Sequence, residues 1–153
     1  MSVCNLRPES RGTSHLRSTD PGEQPEIRLG YLTAEKDKLV AVKAVQQARA
    51  LMRMPAMAKY APEEFLPGPD CATDEDLLRG VGDIASTIFH PVGTTRMGTD
   101  PMAVVGPDLK VHGMTGLRVV DAGVMPTITS GNTASPTIMI AEKAADLIRG
   151  RAA

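Results

Sequence analysis

The stretch VVDAGVMPTITSGNTASPTIMIAEKAADLI, residues 119–148, decides the fold of the second half of the chain. Its apolar opening is the end of the run LRVVD, which predicts a strand ending in Asp121. A loop of small residues and glycines follows, and then a helix. Ser135 is a favoured N-cap residue, Pro136 would occupy the first helical position, and Gly150 would close the helix. The pattern predicts a strand–loop–helix unit.

The start of this helix is a candidate binding position. Unpaired N–H groups and the positive end of the helix dipole attract an anion or an electron-rich carbonyl. Asn132 stands just before the helix, and its amide can both donate and accept hydrogen bonds. From spacing alone an ordinary structural unit, in which Asn132 only satisfies the backbone of a turn, remains open.

Upstream, the segment FHPVGTTRMG (89–98) places a histidine on a stiff backbone. Pro91 has a fixed φ and pushes His90 towards an extended conformation. Histidine is the side chain best suited to proton transfer near neutral pH. A purely local packing or capping role for His90 is the alternative. His15 and His112 lie in predicted strands and have no comparable context.

The regions around these motifs predict short strands. One strand is expected near residues 12–18, and extended chain near 26–31, on either side of a loop rich in proline and glycine. The stretch AVVGPDLKVHGMTGLRVVDAGVMP, residues 103–126, reads as short strands around two turns.

Apolar residues at spacings of three and four predict two further helices. The first covers 34–54, with Thr33 as its N-cap and Pro55 as its stop. The second opens at Thr73 in a capping-box-like TDED sequence and runs to Ile88.

Composition excludes several classes of function. The chain has 153 residues and a formal net charge of −1, so charge gives no reason to expect nucleic acid or an anionic membrane as a partner. No apolar run is long enough to span a bilayer. Cys4 and Cys71 are too few for a disulfide scaffold or a zinc site, so we expect a reducing cytoplasm and no metal. Nucleophile-elbow, Walker and G-x-G-x-x-G motifs are absent.

Three segments together carry a family resemblance: HPVGTTRMG, then LRVVDAGVMP, then SGNTASPTIMIAEKAADLI. In this order they resemble the C-terminal portion of the glucose–methanol–choline (GMC) oxidoreductases, flavoproteins that oxidise alcohols, choline and sugars. The upstream stretches LRPESRGTSHLRSTDP and EEFLPGPDCATDEDLLRGVGDIASTIFH are similar to the substrate-binding region of that family. The resemblance covers residues 6–149 and is strongest to choline-dehydrogenase-like and bacterial alcohol-dehydrogenase-like members.

The resemblance implies catalytic roles for two residues. His90 would match the active-site histidine that faces the flavin and helps take the hydroxyl proton as hydride leaves the alcohol carbon. Asn132 would match the second active-site position, which orients the alcohol oxygen.

The resemblance also implies contacts with FAD. Asp121 and Ala122 would meet its ribityl and pyrophosphate region. The backbone of Asn132 and Thr133, with the helix start at Pro136, would face the pyrimidine edge of the flavin, where negative charge collects on reduction.

The implied fold is of the mixed α+β class. Residues 1–88 would be a partial substrate-binding domain with antiparallel sheet elements and amphipathic helices. Residues 89–153 would carry the histidine and return, with the last strand and helix, to the FAD-binding domain. The family's N-terminal FAD-binding βαβ unit is absent, so we expect a C-terminal fragment whose partners are a small-molecule alcohol and that missing part. The alternative is a non-catalytic remnant or association module that binds no flavin.

Overall fold

Helices form most of the regular structure in this computed structural model, which describes residues 1–151. The chain divides into two compact units, Met1–Ser86 and Thr87–Ala153. A two-stranded antiparallel sheet and α-helices occur together in the described residues, which confirms the mixed α and β composition. The assignment of 1–88 and 89–153 to a substrate-binding and an FAD-binding part stays a prediction.

The two strands of the first unit are shorter than predicted. Strand β1 (Thr13–His15) pairs antiparallel with β2 (Glu26–Arg28), within the ranges expected for extended chain. Two glycines let the flanking chain segments approach closely. A Cβ at Gly12 would lie 2.2 Å from the carbonyl oxygen of Arg28, and Gly30 has a φ of +66°. Both faces of the hairpin are largely solvent-exposed, and no third strand joins the sheet within residues 1–151.

Helix α1 (Glu35–Met52) confirms the first predicted helix and corrects its start. Ala34, not Thr33, occupies the N-cap position. The Thr33 hydroxyl instead donates a hydrogen bond to the carbonyl oxygen of Gly30, at 2.9 Å. Thr33 therefore belongs to the turn that precedes the helix. After α1 the chain enters a 3₁₀ helix (Pro55–Tyr60), as a proline that stops an α-helix permits.

A buried carboxylate ties the N-terminal segment to α1. Asp37 is 4% exposed and accepts hydrogen bonds from Asn5 Nδ2 (2.9 Å), Glu9 N–H (3.0 Å) and Ser10 N–H (2.7 Å). Burial by itself would raise the pKa of Asp37, but the hydrogen bonds from Ser10, Glu9 and Asn5 outweigh burial and hold the pKa below its usual value. The ionised carboxylate therefore fastens a loop that has no regular structure of its own.

Helix α2 (Asp74–Ile84) confirms the predicted capping box. The Thr73 hydroxyl accepts from the Asp76 N–H, and the Asp76 carboxylate accepts from the Thr73 N–H. The helix ends at Ile84, so the prediction that it reaches Ile88 was wrong. Ala85 already has extended φ and ψ, and Ile88 has a φ of +45°, which no right-handed helix accommodates.

Helices α1 and α2 pack on each other, and their best buried apolar side chains are Val42 and Leu77. The loop between the helices is held by Arg49. Its guanidinium makes two hydrogen bonds of 2.8 Å to the carboxylate of Glu64 and also donates to the carbonyl oxygen of Cys71. A planar guanidinium suits this combination of carboxylate and carbonyl acceptors.

Isolated bridges replace the short strands predicted for the second unit. Lys110 bridges Arg118, and the Val119 N–H donates to the Leu109 carbonyl, but pairing does not continue. Among residues 87–151 no strand ends in Asp121, so that prediction was wrong. A strand is defined by its neighbours, and a single bridge does not hold an apolar run extended.

Helix α3 (Ala134–Ile148) confirms the last predicted helix, with two corrections at its start. Thr133, not Ser135, is the N-cap, so Pro136 occupies the third helical position rather than the first. Proline is tolerated there because the first-turn N–H groups have no partner within the helix. Gly150 has a φ of +68° just past the helix, as predicted for its closing residue.

The core of the second unit is aliphatic. Val105 and Val124 are fully enclosed, and the other members of the buried cluster come from the loops and from α3 (Leu109, Met125, Ile140 and Ala144). Among residues 1–151 no helix combines the length and apolar character needed to cross a bilayer.

We predict that Asp37→Asn lowers the free energy of unfolding by about 1.5–3 kcal/mol near neutral pH, because hydrogen bonds to a charged acceptor are lost. Because the pKa of Asp37 is lowered in the folded state, its stabilisation is complete above the ordinary aspartate pKa and disappears as pH falls through the lower native value. Urea titrations from neutral pH to below about pH 4 should therefore show the difference from wild type shrinking. The exposed Asp70→Asn is the control, and equal losses in both variants would contradict the role of Asp37.

Candidate functional site

The histidine segment, residues 90–98, is anchored by its backbone to the turn that precedes α3. The Thr95 N–H donates to the Gly123 carbonyl at 3.1 Å, and the Met97 N–H donates to the Val124 carbonyl at 2.8 Å. Since Val124 is fully buried, these bonds fasten the segment to the core of its unit. The stretch that carries His90 is thus fixed at its C-terminal end by main-chain hydrogen bonds.

A strained turn fixes the other end of the segment. Ile88 and Phe89 have φ values of +45° and +63°, in the left-handed region, and a weak 3.4 Å hydrogen bond joins the His90 N–H to the Thr87 carbonyl. Consecutive left-handed residues without glycine are uncommon, and each costs on the order of 1 kcal/mol or more. Phe89 is 90% exposed, so burial of its ring does not compensate for this cost.

The imidazole of His90 is bonded to the start of α3. His90 Nδ1 lies 2.9 Å from Thr133 Oγ1, across a separation of 43 residues in the chain. Thr133 is only 7% exposed, whereas His90 is half-buried. The two ring nitrogens lie on different edges of the imidazole, so Nδ1 meets the buried hydroxyl and Nε2 is left for another partner.

The contact brings both predicted catalytic positions to one end of α3. Asn132 precedes Thr133 directly, and its side chain is exposed. The residue bonded to His90 is therefore the chain neighbour of Asn132. The catalytic roles of His90 and Asn132 themselves stay predictions.

Asp121 and Ala122 meet the histidine segment at a different point. The Asp121 carboxylate caps a 3₁₀ turn (Ala122–Val124) by accepting a hydrogen bond from the Gly123 N–H at 2.7 Å. Ala122 is half-buried and packs against the aliphatic core. Both residues thus hold the turn to which Thr95 and Met97 are bonded.

Three side-chain oxygens crowd against Gly123, and we call them the oxygen cluster: Thr94 Oγ1, Thr95 Oγ1 and Asp121 Oδ1. A Cβ at Gly123 would lie within 2.7–2.8 Å of all three. Thr95 Oγ1 is buried and has no hydrogen-bond partner within residues 1–151. A buried hydroxyl of this kind needs a partner that the described chain does not supply.

Arg96 rigidifies the loop after the segment. Its guanidinium binds both carboxylate oxygens of Asp100, at 2.8 and 2.6 Å. The paired guanidinium holds the pKa of the Asp100 carboxyl well below its usual range. Because this pair is exposed, it shapes the loop more than it stabilises the fold.

Sequence reasoning missed the side chains of Thr133 and Thr95 and the requirement for glycine at 123. For Thr133 a signal existed, since Pro136 three residues later lacks one of the two N–H groups that a capping threonine can bind. For Thr95 and Gly123 the signal lies in a contact between distant segments. No group of three His, Cys, Asp or Glu side chains in the described part of the chain could hold a metal ion.

Comparison with known proteins matches most of this chain to one protein family. Residues 8–141 match the family model described as GMC oxidoreductase. An alcohol dehydrogenase [acceptor] of Pseudomonas putida is 43% identical over 97% of this chain, which corresponds to 27% of the relative. An oxygen-dependent choline dehydrogenase of Burkholderia lata is 48% identical over 99% of this chain, again 27% of the relative.

Solved structures agree in fold. An FAD-dependent oxidoreductase from Chaetomium thermophilum superposes with a TM-score of 0.87 and 32% identity, over 95% of this chain and 25% of that protein. The chain thus spans about a quarter of the length of the relatives it matches.

We predict that Gly123→Ala lowers the free energy of unfolding by about 1–3 kcal/mol, the usual cost of overpacking. The added methyl group would overlap the oxygen cluster, whose members are two threonine hydroxyls and a carboxylate. Denaturant titration measures the change. Gly131→Ala is the matched control because its Cβ would meet no atom within 4 Å, and its effect should stay below about 0.5 kcal/mol. Equal stability of the two variants would refute the crowding at Gly123.

Proposed function

The chain belongs to the GMC oxidoreductase family, and from that premise we propose that it supplies the proton-accepting side of an FAD-dependent site that oxidises an alcohol. The hydrogen bond between His90 Nδ1 and Thr133 Oγ1 is the observation that carries the proposal. It holds a histidine beside Asn132 and the start of α3, which is a combination suited to acid–base work on a hydroxyl group.

The residues present fit FAD. Thr95 Oγ1 is a buried hydroxyl without a partner in the described chain, and the Asp121 carboxylate lies beside it in the oxygen cluster. Hydroxyl and carboxylate oxygens are suitable partners for the hydroxyl groups of a ribityl chain. Ala122 follows Asp121 in the same turn. We assign Asp121 and Ala122 to that part of the cofactor.

The start of α3 fits the electron-rich edge of the flavin. No side chain caps this helix, so the first-turn N–H groups and the positive end of its dipole are directed at whatever lies before it. Asn132 and Thr133 would approach the pyrimidine edge through their backbone, and Pro136 would fix the direction of the first turn. Negative charge is favoured at such a position.

The proton of the substrate goes to His90 in this scheme. FAD, when bound, supplies the acceptor for the hydride that leaves the alcohol carbon. His90 Nε2 takes the hydroxyl proton as the C–H bond breaks, and a carbonyl product remains. The Asn132 amide donates a hydrogen bond to the substrate oxygen and so orients it.

The substrate class follows from the relatives. Two of them are named for alcohol and choline oxidation, and they cover nearly the whole of this chain. We therefore propose the CH–OH group of an alcohol or a choline-like molecule as the substrate. The chain would act in a reducing cytoplasm, as its two free cysteines suggest.

The site needs a second part. The relatives are about four times as long as the region they share with this chain, and we propose that an FAD-binding βαβ portion completes the site. Residues 1–88 would then contribute to the substrate-binding domain, and α3 would pack within the FAD-binding domain.

We predict that His90→Ala lowers turnover by a factor on the order of 10²–10⁴ in this chain joined to an FAD-binding N-terminal portion. The reason is the loss of the group that accepts the hydroxyl proton. Steady-state kinetics with a primary alcohol or choline measures the effect. The exposed His15→Ala is the control and should leave turnover unchanged. Full turnover of the His90 variant would remove this residue from the reaction.

We also predict that the chain alone binds FAD weakly, because most of the contacts expected for the pyrophosphate belong to the βαβ portion proposed above. Equilibrium dialysis with the purified chain should recover little bound flavin, and the joined protein should bind it stoichiometrically. Tight binding by the chain alone would contradict the need for a second part. Absence of flavin from the joined protein would favour a non-catalytic association module.

A further inference from the structure

We infer that Thr133 is the positioning residue of His90: its hydroxyl accepts the Nδ1–H of the imidazole and leaves the Nε2 lone pair facing outward. The direction of the bond and its catalytic consequence rest on the function proposed above, whereas the contact between the two side chains does not. His90 Nδ1 lies 2.9 Å from Thr133 Oγ1.

The N-cap threonines of α2 and α3 use their hydroxyl groups differently. Thr73 and Thr133 both occupy the N-cap of an α-helix. Thr73 has extended φ and ψ, and its hydroxyl accepts from the N–H of Asp76, the third helical residue, at 3.1 Å. This is the normal use of a capping threonine. Thr133 has φ and ψ in the right-handed helical region, and its hydroxyl makes no cap hydrogen bond.

Pro136 explains the difference. It occupies the third helical position of α3, where Asp76 stands in α2. Proline has no N–H, so the third-position donor that Thr73 binds in α2 does not exist in α3. The Thr133 hydroxyl makes no cap hydrogen bond and instead lies 2.9 Å from His90 Nδ1.

Thr133 is buried and its backbone is held in place, so its hydroxyl has a fixed position beside the imidazole. It is 7% exposed, and its carbonyl accepts hydrogen bonds from both the N–H and the hydroxyl of Thr137, at 3.0 and 2.7 Å. Its backbone is thus held by the first turn of α3. An orienting partner with a fixed backbone restricts the ring rotation of the histidine bonded to it.

The direction of this bond sets which nitrogen can act, because a threonine hydroxyl can either donate to Nδ1 or accept from Nδ1–H. A neutral imidazole carries its proton on one nitrogen only, so donation from Nδ1–H makes Nε2 the acceptor. A base that removes a hydroxyl proton needs that Nε2 lone pair. The opposite tautomer would present an N–H at the site, and His90 could then not accept the proton there.

The test is the tautomer of His90 in the 153-residue chain without flavin, read from long-range ¹H–¹⁵N correlations of its histidine rings at a pH where they are neutral. Wild type and Thr133→Ser should show the Nδ1–H form, because serine keeps the hydroxyl. Thr133→Val, which is similar in volume but lacks the hydroxyl, should shift His90 towards the Nε2–H form that free imidazole side chains prefer. Thr127→Val, an exposed threonine in the loop before α3, should leave His90 unchanged.

An Nε2–H form in wild type, or the same tautomer in wild type and Thr133→Val, would overturn the inference. A purely structural role for Thr133 would shift neither tautomer, whatever its effect on stability. Should Thr133→Val unfold the chain, the wild-type spectrum still decides, because an Nε2–H form there contradicts donation from Nδ1–H to Thr133.

In the joined enzyme, Thr133→Val should reduce kcat by about 10–100-fold with little change in KM, as loss of an orienting partner does at histidine metal ligands. Thr133→Ser should keep a kcat close to that of wild type. A kcat as low as that of Thr133→Val would contradict positioning by the hydroxyl. The two proposals fail separately: a normal tautomer response with a fully active His90→Ala enzyme would refute the catalytic role of His90 and leave the hydrogen bond intact.

Discussion

The main-chain hydrogen bonds from Thr95 to Gly123 and from Met97 to Val124 are the constraint on which the rest of the second unit depends. They join two segments about 28 residues apart in the chain and end at Val124, which is completely buried. Because the histidine segment is registered in this way, His90 reaches the start of α3 and the oxygen cluster forms around Gly123. A slip of the segment would break both arrangements at once.

A few residues with unusual backbone chemistry then position the imidazole of His90. Pro136 removes a donor from the first turn of α3, Thr133 turns its hydroxyl to His90, and the strained turn at Ile88 and Phe89 directs the chain into the histidine segment. None of these features improves the helix or the turn as an isolated element. Departures from local preference that persist in a folded protein are typical of functional sites. They therefore support the assignment of this region to the chemistry of the family.

The sequence predicted the three helices, the Thr73 capping box and the closing Gly150, because these depend on residues within one or two turns of each other. It was wrong about the start of α3. Serine and threonine are both favoured N-cap residues, and only tertiary contacts decide between Ser135 and Thr133. It was wrong about the strand ending in Asp121, because strand formation depends on partners elsewhere in the chain. The bond between His90 and Thr133 lay beyond sequence reasoning, although both residues were singled out.

We propose that His90 and Asn132 contact one flavin and that Thr133 orients the imidazole. The decisive experiment is a crystal structure of this chain joined to an FAD-binding portion. We expect His90 and Asn132 on the same face of the isoalloxazine, with Nδ1 of the imidazole still bonded to the Thr133 hydroxyl. An isoalloxazine in contact with neither side chain, or an imidazole released from Thr133, would contradict this proposal.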